Sequence, residues 1–328
     1  MKKGLRSKTL WCLVLAVTVL LVSQTSWAQV PTKLRAAYLP IAAHLNILWA
    51  IEKGYFLAEG LAVEGVSILS GGRALEALAG GSLEIASPTP LDLAMARDKG
   101  FDFIFVSGGG NVGTVPTPGI GPGYKDISPL MVLEGSPIRT AKDLEGKNVG
   151  IHARYSINWL FTVDWLKKNG ADPTKLNWME VPFPQLDVSL RKGLVVAVHN
   201  TEPFVTVSLN QGGVRVLDYP FSAIVRDLIT SQAAATEVWA KKNTDLIRRF
   251  HRANTRAITD LQGKPADAVE VFRRYVKIEP ELARAMHWPS WKAEVDLKSV
   301  QAYLDLAFEW KLISKRPRPT DVIYEFVR

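Results

Sequence analysis

Cysteine is almost missing from this 328-residue chain: the only one is Cys12. It lies in the first apolar run, Leu10 to Val22, behind Lys2, Lys3, Arg6 and Lys8 and ahead of Ser26-Trp27-Ala28. A basic start, a short apolar core and small residues at its end read as a secretory leader, with cleavage expected before Gln29. The run is too short to span a bilayer comfortably. A chain freed of that leader has no thiol. Disulfides, cysteine metal sites, a cysteine nucleophile and a lipid-bearing cysteine are then excluded. No second apolar run of membrane-spanning length follows. Long like-charge runs, low-complexity segments and nucleic-acid motifs are also absent, so no nucleic-acid partner is expected. No Gly-x-Ser-x-Gly elbow supports serine hydrolysis. Histidine is scarce, with five residues, and no two have the short helical spacing of a metal motif, so neither metal nor cofactor is expected.

The formal charge is +8, and removing the four cations of the leader leaves about +4, a soft bias toward anionic partners. Roughly 300 residues then remain, which suggests two domains or lobes.

The stretch from Ser67 to Met95 organises the pattern. A strand over 62–69 enters Ser70-Gly71-Gly72-Arg73 and leaves as a helix to Ala79. A second strand, Leu83 to Ala86, turns through Ser87-Pro88-Thr89-Pro90 into a helix from Leu91 to Lys99. Thr89 reads as an N-cap, Pro90 suits the first helical position, and Asp92 stands where a capping-box carboxylate belongs. Each such turn leaves backbone N–H groups unpaired at the positive end of a helix dipole, which favours an anionic or strongly polar group.

Strand and helix alternate along the rest. Strands are expected over 33–39, 101–106, 129–134, 148–151, 178–181, 194–198, 214–217 and 223–230, and a helix over 44–53 carries Leu45, Leu48, Trp49 and Ile51 inward. Gly108-Gly109-Gly110 and the Pro/Gly-rich segment to Gly123 read as a boundary. Thr140 to Asp143 caps a short helix, and 156–169 is helical. Beyond Thr230 the chain reads as almost purely helical, over 237–262, 266–276, 281–286 and 297–311. Residues 78–89 can be laid without a gap on 190–201, so that Gly81 meets Gly193, Ser87 meets His199 and Thr89 meets Thr201. Two such lobes facing each other would bring both turns to one cleft.

Several segments resemble one family in its own order: 51–61, Ser70-Gly71-Gly72, 78–86, 142–150, 165–170, Val181-Pro182-Phe183, Glu202-Pro203-Phe204 and the basic run from 240 to 250. The chain resembles the periplasmic substrate-binding proteins of ABC importers, in the group that takes nitrate, taurine, sulfonates and thiamine precursors. Glu84 and Val196 stand where that family often carries aspartate. The resemblance implies an α/β, two-lobed type II periplasmic-binding-protein fold, with a ligand cleft between lobes and the helical C-terminal region packed on the first lobe. The expected parts are a leader over 1–28, lobe one over 29–115 and 221–328, and lobe two over 116–220. It also implies a small-molecule ligand, an ABC permease as partner, a monomer and a periplasmic location. The rival readings are a thiamine-pyrimidine precursor binder or synthase-like enzyme, which the missing cysteine disfavours, and a sensor presenting ligand to a receptor.

The turns nominate the contacts. In lobe one these are Pro40, His44, Gly72, Arg73, Ser87 and Thr89; in lobe two, Arg154, Tyr155, Ser156, His199, Thr201 and Glu202. Arg73 and Arg154 are the cations expected to meet a carboxylate or sulfonate, since guanidinium pairs with planar oxyanions through two hydrogen bonds.

Overall fold

Alternating Leu34, Ala36 and Tyr38 are drawn inward from the opening strand, β1 (Thr32–Tyr38), which pairs in parallel with β2 (Leu61–Ser67). The structure is a computed structural model that describes residues 30–114, 126–223, 228–262 and 264–327; the leader and residues 115–125 lie outside these. Between β1 and β2 run a helical turn, Ala42–His44, then α1 (Leu45–Glu52) and α2 (Tyr55–Ala58). Glycine ends α1: Gly54 takes φ +70°, which a side chain would disfavour. α3 (Gly71–Ala79) starts on Ser70, whose hydroxyl accepts the Arg73 N–H, and α4 (Pro90–Asp98) starts on the expected Thr89/Asp92 capping box.

The expected strand over 83–86 is reduced to two residues. Ile85 bridges β1 in parallel at Ala36, and Ala86 bridges Ala234 of β10 (Ala233–Thr236) in antiparallel fashion. β10 in turn pairs with β3 (Phe103–Ser107), so the first layer runs β2, β1, Ile85-Ala86, β10, β3. The second sheet runs β7 (Asn177–Glu180), β6 (Asn148–Ile151), β8 (Ala197–His199), β5 (Leu130–Leu133), β9 (Val214–Asp218). The two orders match strand for strand, with β5 and β10 as the antiparallel members. The repeat between 78–89 and 190–201 is therefore structural. Both copies end a helix, pass a glycine at φ +71° or +69° (Gly81, Gly193), and enter a central strand. In the second sheet, β6 leads through Ser156 into α5 (Ile157–Lys168), and α6 (Phe183–Arg191) and α7 (Phe204–Gln211) flank β8.

The C-terminal region is less helical than its pattern suggests, because it lends β10 and β11 (Pro289–Lys292) to the first half of the chain. The run over 237–262 is two helices, α8 (Glu237–Lys242) and α9 (Thr244–Gln262), separated at Asn243. α9 turns Ile247, Phe250, Ala253, Asn254, Ala257, Ile258 and Leu261 inward at helical spacing. Asn254 bonds Asn46 (2.8 Å) and Ser107 (2.8 Å), and Asp260 accepts from Trp49 (3.0 Å) and Tyr55 (2.7 Å), which seats the helix on lobe one. Three more helices follow, α10 (Pro265–Tyr275), α11 (Pro280–Ala285) and α12 (Leu297–Glu309). Phe161 of α5 meets Tyr303 of α12 at 5.3 Å between ring centres, joining the two halves. Among the described residues no helix is long and apolar enough to cross a membrane.

Of the boundary expected over 108–123, residues 115–123 lie outside the described residues. Gly109 and Gly110 open strand β4 (Gly109–Thr114), which pairs with β11. A Cβ at Gly108 would overlap the Lys292 carbonyl, one at Gly109 the Ser231 carbonyl, and one at Gly110 the Ala43 carbonyl. Glycine is needed there for close approach of backbones. Of the expected strand over 223–230, residues 224–227 lie outside the described residues and Ile229 makes a single bridge to Asn111.

Replacing Gly110 by alanine should lower stability by about 1–3 kcal/mol, as overpacking does. Gly135 has open space where its Cβ would stand, so Gly135→Ala should stay within about 0.5 kcal/mol of the parent. Urea unfolding of both variants measures the difference.

Candidate functional site

The helix starts at Ser70, Thr89 and Ser156 converge on a cavity of about 190 Å³ between the lobes. Leu39, Ile41, Met95, Ile127, Ile157, Phe183 and Phe221 give it apolar walls. Hydroxyls interrupt them at Ser70, Ser87, Thr89, Ser128, Ser156, Thr201 and Thr230. The volume lies below the roughly 300–1,000 Å³ of drug-sized ligand sites, so the space suits a small solute.

Of the residues nominated by sequence, His44, Gly72, Ser87, Thr89, Arg154, Tyr155, Ser156 and Thr201 line this cavity. Four do not. Pro40 lies on the Leu39–His44 turn but off the wall. Arg73 is exposed: α3 buries Gly71, Ala74, Leu75 and Leu78, and one step of about 100° past Gly72 carries the guanidinium away from that face.

His199 is fully buried behind the wall. Its Nε2–H donates to the Ser128 carbonyl (2.8 Å), and its Nδ1 meets the Thr162 hydroxyl (2.7 Å). It thus holds Ser128 and α5, both of which reach the cavity, without facing the space itself. Glu202 is buried too, accepting from the Thr206 N–H (3.1 Å), the Thr206 hydroxyl (2.8 Å) and the His287 N–H (3.2 Å), while its carbonyl accepts from Ala42 (3.2 Å). It ties the lobe-two turn to lobe one.

Sequence reasoning missed Ser128, Asn158, Phe183, Phe221, Thr230 and the facing role of Asp92. Phe183 lies in the family-like segment Val181-Pro182-Phe183, but nothing in its spacing marks it as a wall. It stacks on His152 at 4.1 Å between ring centres. Asn158 sits in the first turn of α5 and donates to the Ser128 hydroxyl (3.2 Å).

The two walls differ in charge. On lobe one, Asp92 lies against the starts of both α3 and α4, where a Cβ on Gly71 would overlap its carboxylate. Burial pushes the Asp92 carboxyl up, opposed by hydrogen bonds from Thr89. This wall therefore supplies a carboxyl of its own to its helix dipoles. On lobe two, Arg154 stands beside the start of α5, its guanidinium 5.6 Å from the Tyr155 ring. Tyr155 holds φ +61°, a left-handed conformation that a bulky side chain seldom takes and that turns the chain into α5. The positive end of the cavity is thus the lobe-two side. Burial lowers His44 and His152 to about 3, so both imidazoles are neutral at pH 7. Among the described residues no group of three or more His, Asp or Glu is placed to hold a metal ion.

A two-lobed α/β protein with a small cavity between matched sheets has the periplasmic-binding-protein fold. The periplasmic aliphatic sulphonate binding protein SsuA of Escherichia coli shares it at a TM-score of 0.69 and 22% identity, over 90% of this chain and 99% of that one. The chain belongs to the NMT1/THI5-like family, matched over residues 41–108 and 123–268. It is 25% identical to the riboflavin-binding protein RibY of Chloroflexus aurantiacus, over 43% of this chain and 39% of that protein. It is 28% identical to an Escherichia coli protein named for binding aliphatic sulfonates, over 46% of this chain and 44% of that one. The matches therefore span less than half the length of either relative.

The buried imidazoles set a pH dependence. His44 and His152 fall to about 3, and His199 and His287 to about 4, so each takes up its proton only on unfolding below pH 6.5. Their stabilisation is complete above pH 6.5 and is lost as pH falls toward 4 for His199 and His287 and toward 3 for His44 and His152. Glu202, raised to about 7, and Asp126, raised to about 6, act oppositely, favouring the fold at lower pH. The four histidines outweigh the two acids, so the melting temperature should be lower at pH 5 than at pH 7. The slope should be shallower in His152→Gln.

Proposed function

We propose that this chain is an exported solute receptor that captures a small organic anion, a sulfonate or carboxylate with an apolar body, and hands it to an ABC permease. It works by binding, with no chemical step, as a monomer in the periplasm, after a leader over 1–28 is removed. Lobe one is built from 29–115 and 221–328 and lobe two from 116–220, and the lobes close on the ligand as in other hinged receptors.

One observation carries the anion assignment: Arg154 and the first turn of α5 stand together on one wall, facing apolar side chains across a small cavity. A guanidinium and the amides of a helix start bind a sulfonate or carboxylate with charge-assisted hydrogen bonds, while the apolar walls take the carbon body. The names of two relatives, both sulfonate binders, support the same ligand class. The relatives named above are binding proteins, which supports solute capture in this reading.

A thermal-shift screen of residues 29–328 against short alkanesulfonates, carboxylates, nitrate, pyrimidines and riboflavin tests this. A ligand of the folded state raises the melting temperature with concentration. Stabilisation by sulfonates or carboxylates is expected. Arg154→Ala should weaken that binding by about tenfold or more, the worth of one hydrogen bond to a charged group. Arg73→Ala should leave it within about twofold, as expected of an exposed charge away from the cavity. A shift with riboflavin or pyrimidines alone would keep the receptor and overturn the anion.

A further inference from the structure

Charge is confined to the Asp92 and Arg154 sides of the cavity, yet its lobe-one wall carries polar atoms that no neighbour uses. His44 is buried, 2% exposed, and its Nδ1 accepts the Leu39 N–H at 3.3 Å. With the ring neutral, that bond leaves the proton on Nε2. Nε2 has no further hydrogen bond among the described residues. Thr230 is 8% exposed, and its hydroxyl has no partner among the described residues. Its backbone N–H is anchored on the Gly110 carbonyl at 2.8 Å. Gly110 packs against the Ala43 backbone, so Thr230 and His44 are held on the same side of the cavity by one strand. Buried polar groups are normally satisfied; the Thr230 hydroxyl oxygen is itself shielded from the cavity, whereas the unpartnered His44 N–H belongs to a residue that lines it and is most simply satisfied by the ligand.

We propose that the His44 Nε2–H is a hydrogen-bonding subsite for an uncharged polar group, a hydroxyl or carbonyl, on the part of the ligand remote from its anionic group. The proposal rests on the receptor reading above and adds a second recognition element to it. The anion lies toward Arg154 on lobe two, and the neutral group reaches across to lobe one. A ligand of this kind spans the cavity and bonds both walls. A site built to hydrogen-bond such a group discriminates strongly against an analogue lacking it, because its own donors are then left unpaired.

Ethanesulfonate and 2-hydroxyethanesulfonate differ only in that neutral hydroxyl and make the test. Calorimetric titration of residues 29–328 should show the hydroxylated sulfonate binding about tenfold more tightly. His44→Asn should reduce that ratio several-fold, weakening the hydroxylated sulfonate more than ethanesulfonate. Asparagine keeps an acceptor for the Leu39 N–H but lacks a donor at the Nε2 position. His44→Gln, which restores a donor there, should recover part of the ratio. A merely structural role would weaken both sulfonates alike. Long-range proton–nitrogen spectra of the ligand-free wild type, which need no variant to fold, should show His44 as the Nε2–H tautomer at pH 7. The Nδ1–H form would overturn the proposal. If both sulfonates bind with equal affinity, the receptor reading stands and this subsite is wrong. If neither binds, the anion reading fails and takes the subsite with it.

Discussion

The close backbone approach at Gly108–Gly110 is the constraint on which the cavity depends. Three consecutive residues there leave no room for a Cβ, because carbonyls from 292, 231 and 43 press on them in turn. Those carbonyls belong to β11, to the segment before β10, and to the turn that carries His44. A single strand therefore gathers β11, the segment before β10 and the Ala42–His44 turn at van der Waals distance. Trp291 adds a hydrogen bond from its indole to the same Ala43 carbonyl, at 3.1 Å. The position of His44 is thus fixed by packing more than 60 residues away in sequence, at Gly110, and by β11 much further on. Interiors packed to crystal-like density transmit such constraints with little slack.

Charge is distributed by the same economy. Lobe one neutralises its helix starts with its own Asp92, and lobe two leaves the start of α5 to Arg154 and whatever arrives. Burial keeps the imidazoles uncharged, so they act as hydrogen-bonding groups and not as cations. His199 shows what such a group does when its partners are all internal. With Ser128 and Thr162 to bond, it is part of the wall's frame. His44 and His199 looked alike as histidines on turns, and only their surroundings separate them.

Much of the frame was legible because it is local. The Thr89–Pro90–Asp92 cap, the glycine stops and the amphipathic face of α9 are each written within one or two turns of helix. The repeat was legible because a period of shared punctuation survives where side chains have diverged. What stayed hidden is long-range. The small, featureless run Ala233 to Thr236 becomes a central antiparallel strand only because Ala86 and β3 lie on either side of it. The triple glycine looks like a linker until its neighbours are in place. Arg73 stands off the cavity wall for a simpler reason: helical rotation separates adjacent side chains, and Gly72 takes the cavity face. Thr230 carried no local signal at all, since its interest lies in a hydroxyl left without a partner.

The two sheets are matched in order but not in how the chain completes them. The second is closed by a continuous run ending at Asp218. The first needs β10, and β4 needs β11, so its opening strands wait for residues beyond 230. For a chain emerging from the ribosome, the part made first is the part finished last. Ala86 and β3 stay open as unpaired edges through most of synthesis, and such edges are the ones that recruit wrong partners. The interleaving that builds a precise wall in the finished protein therefore leaves the nascent one dependent on reaching its end.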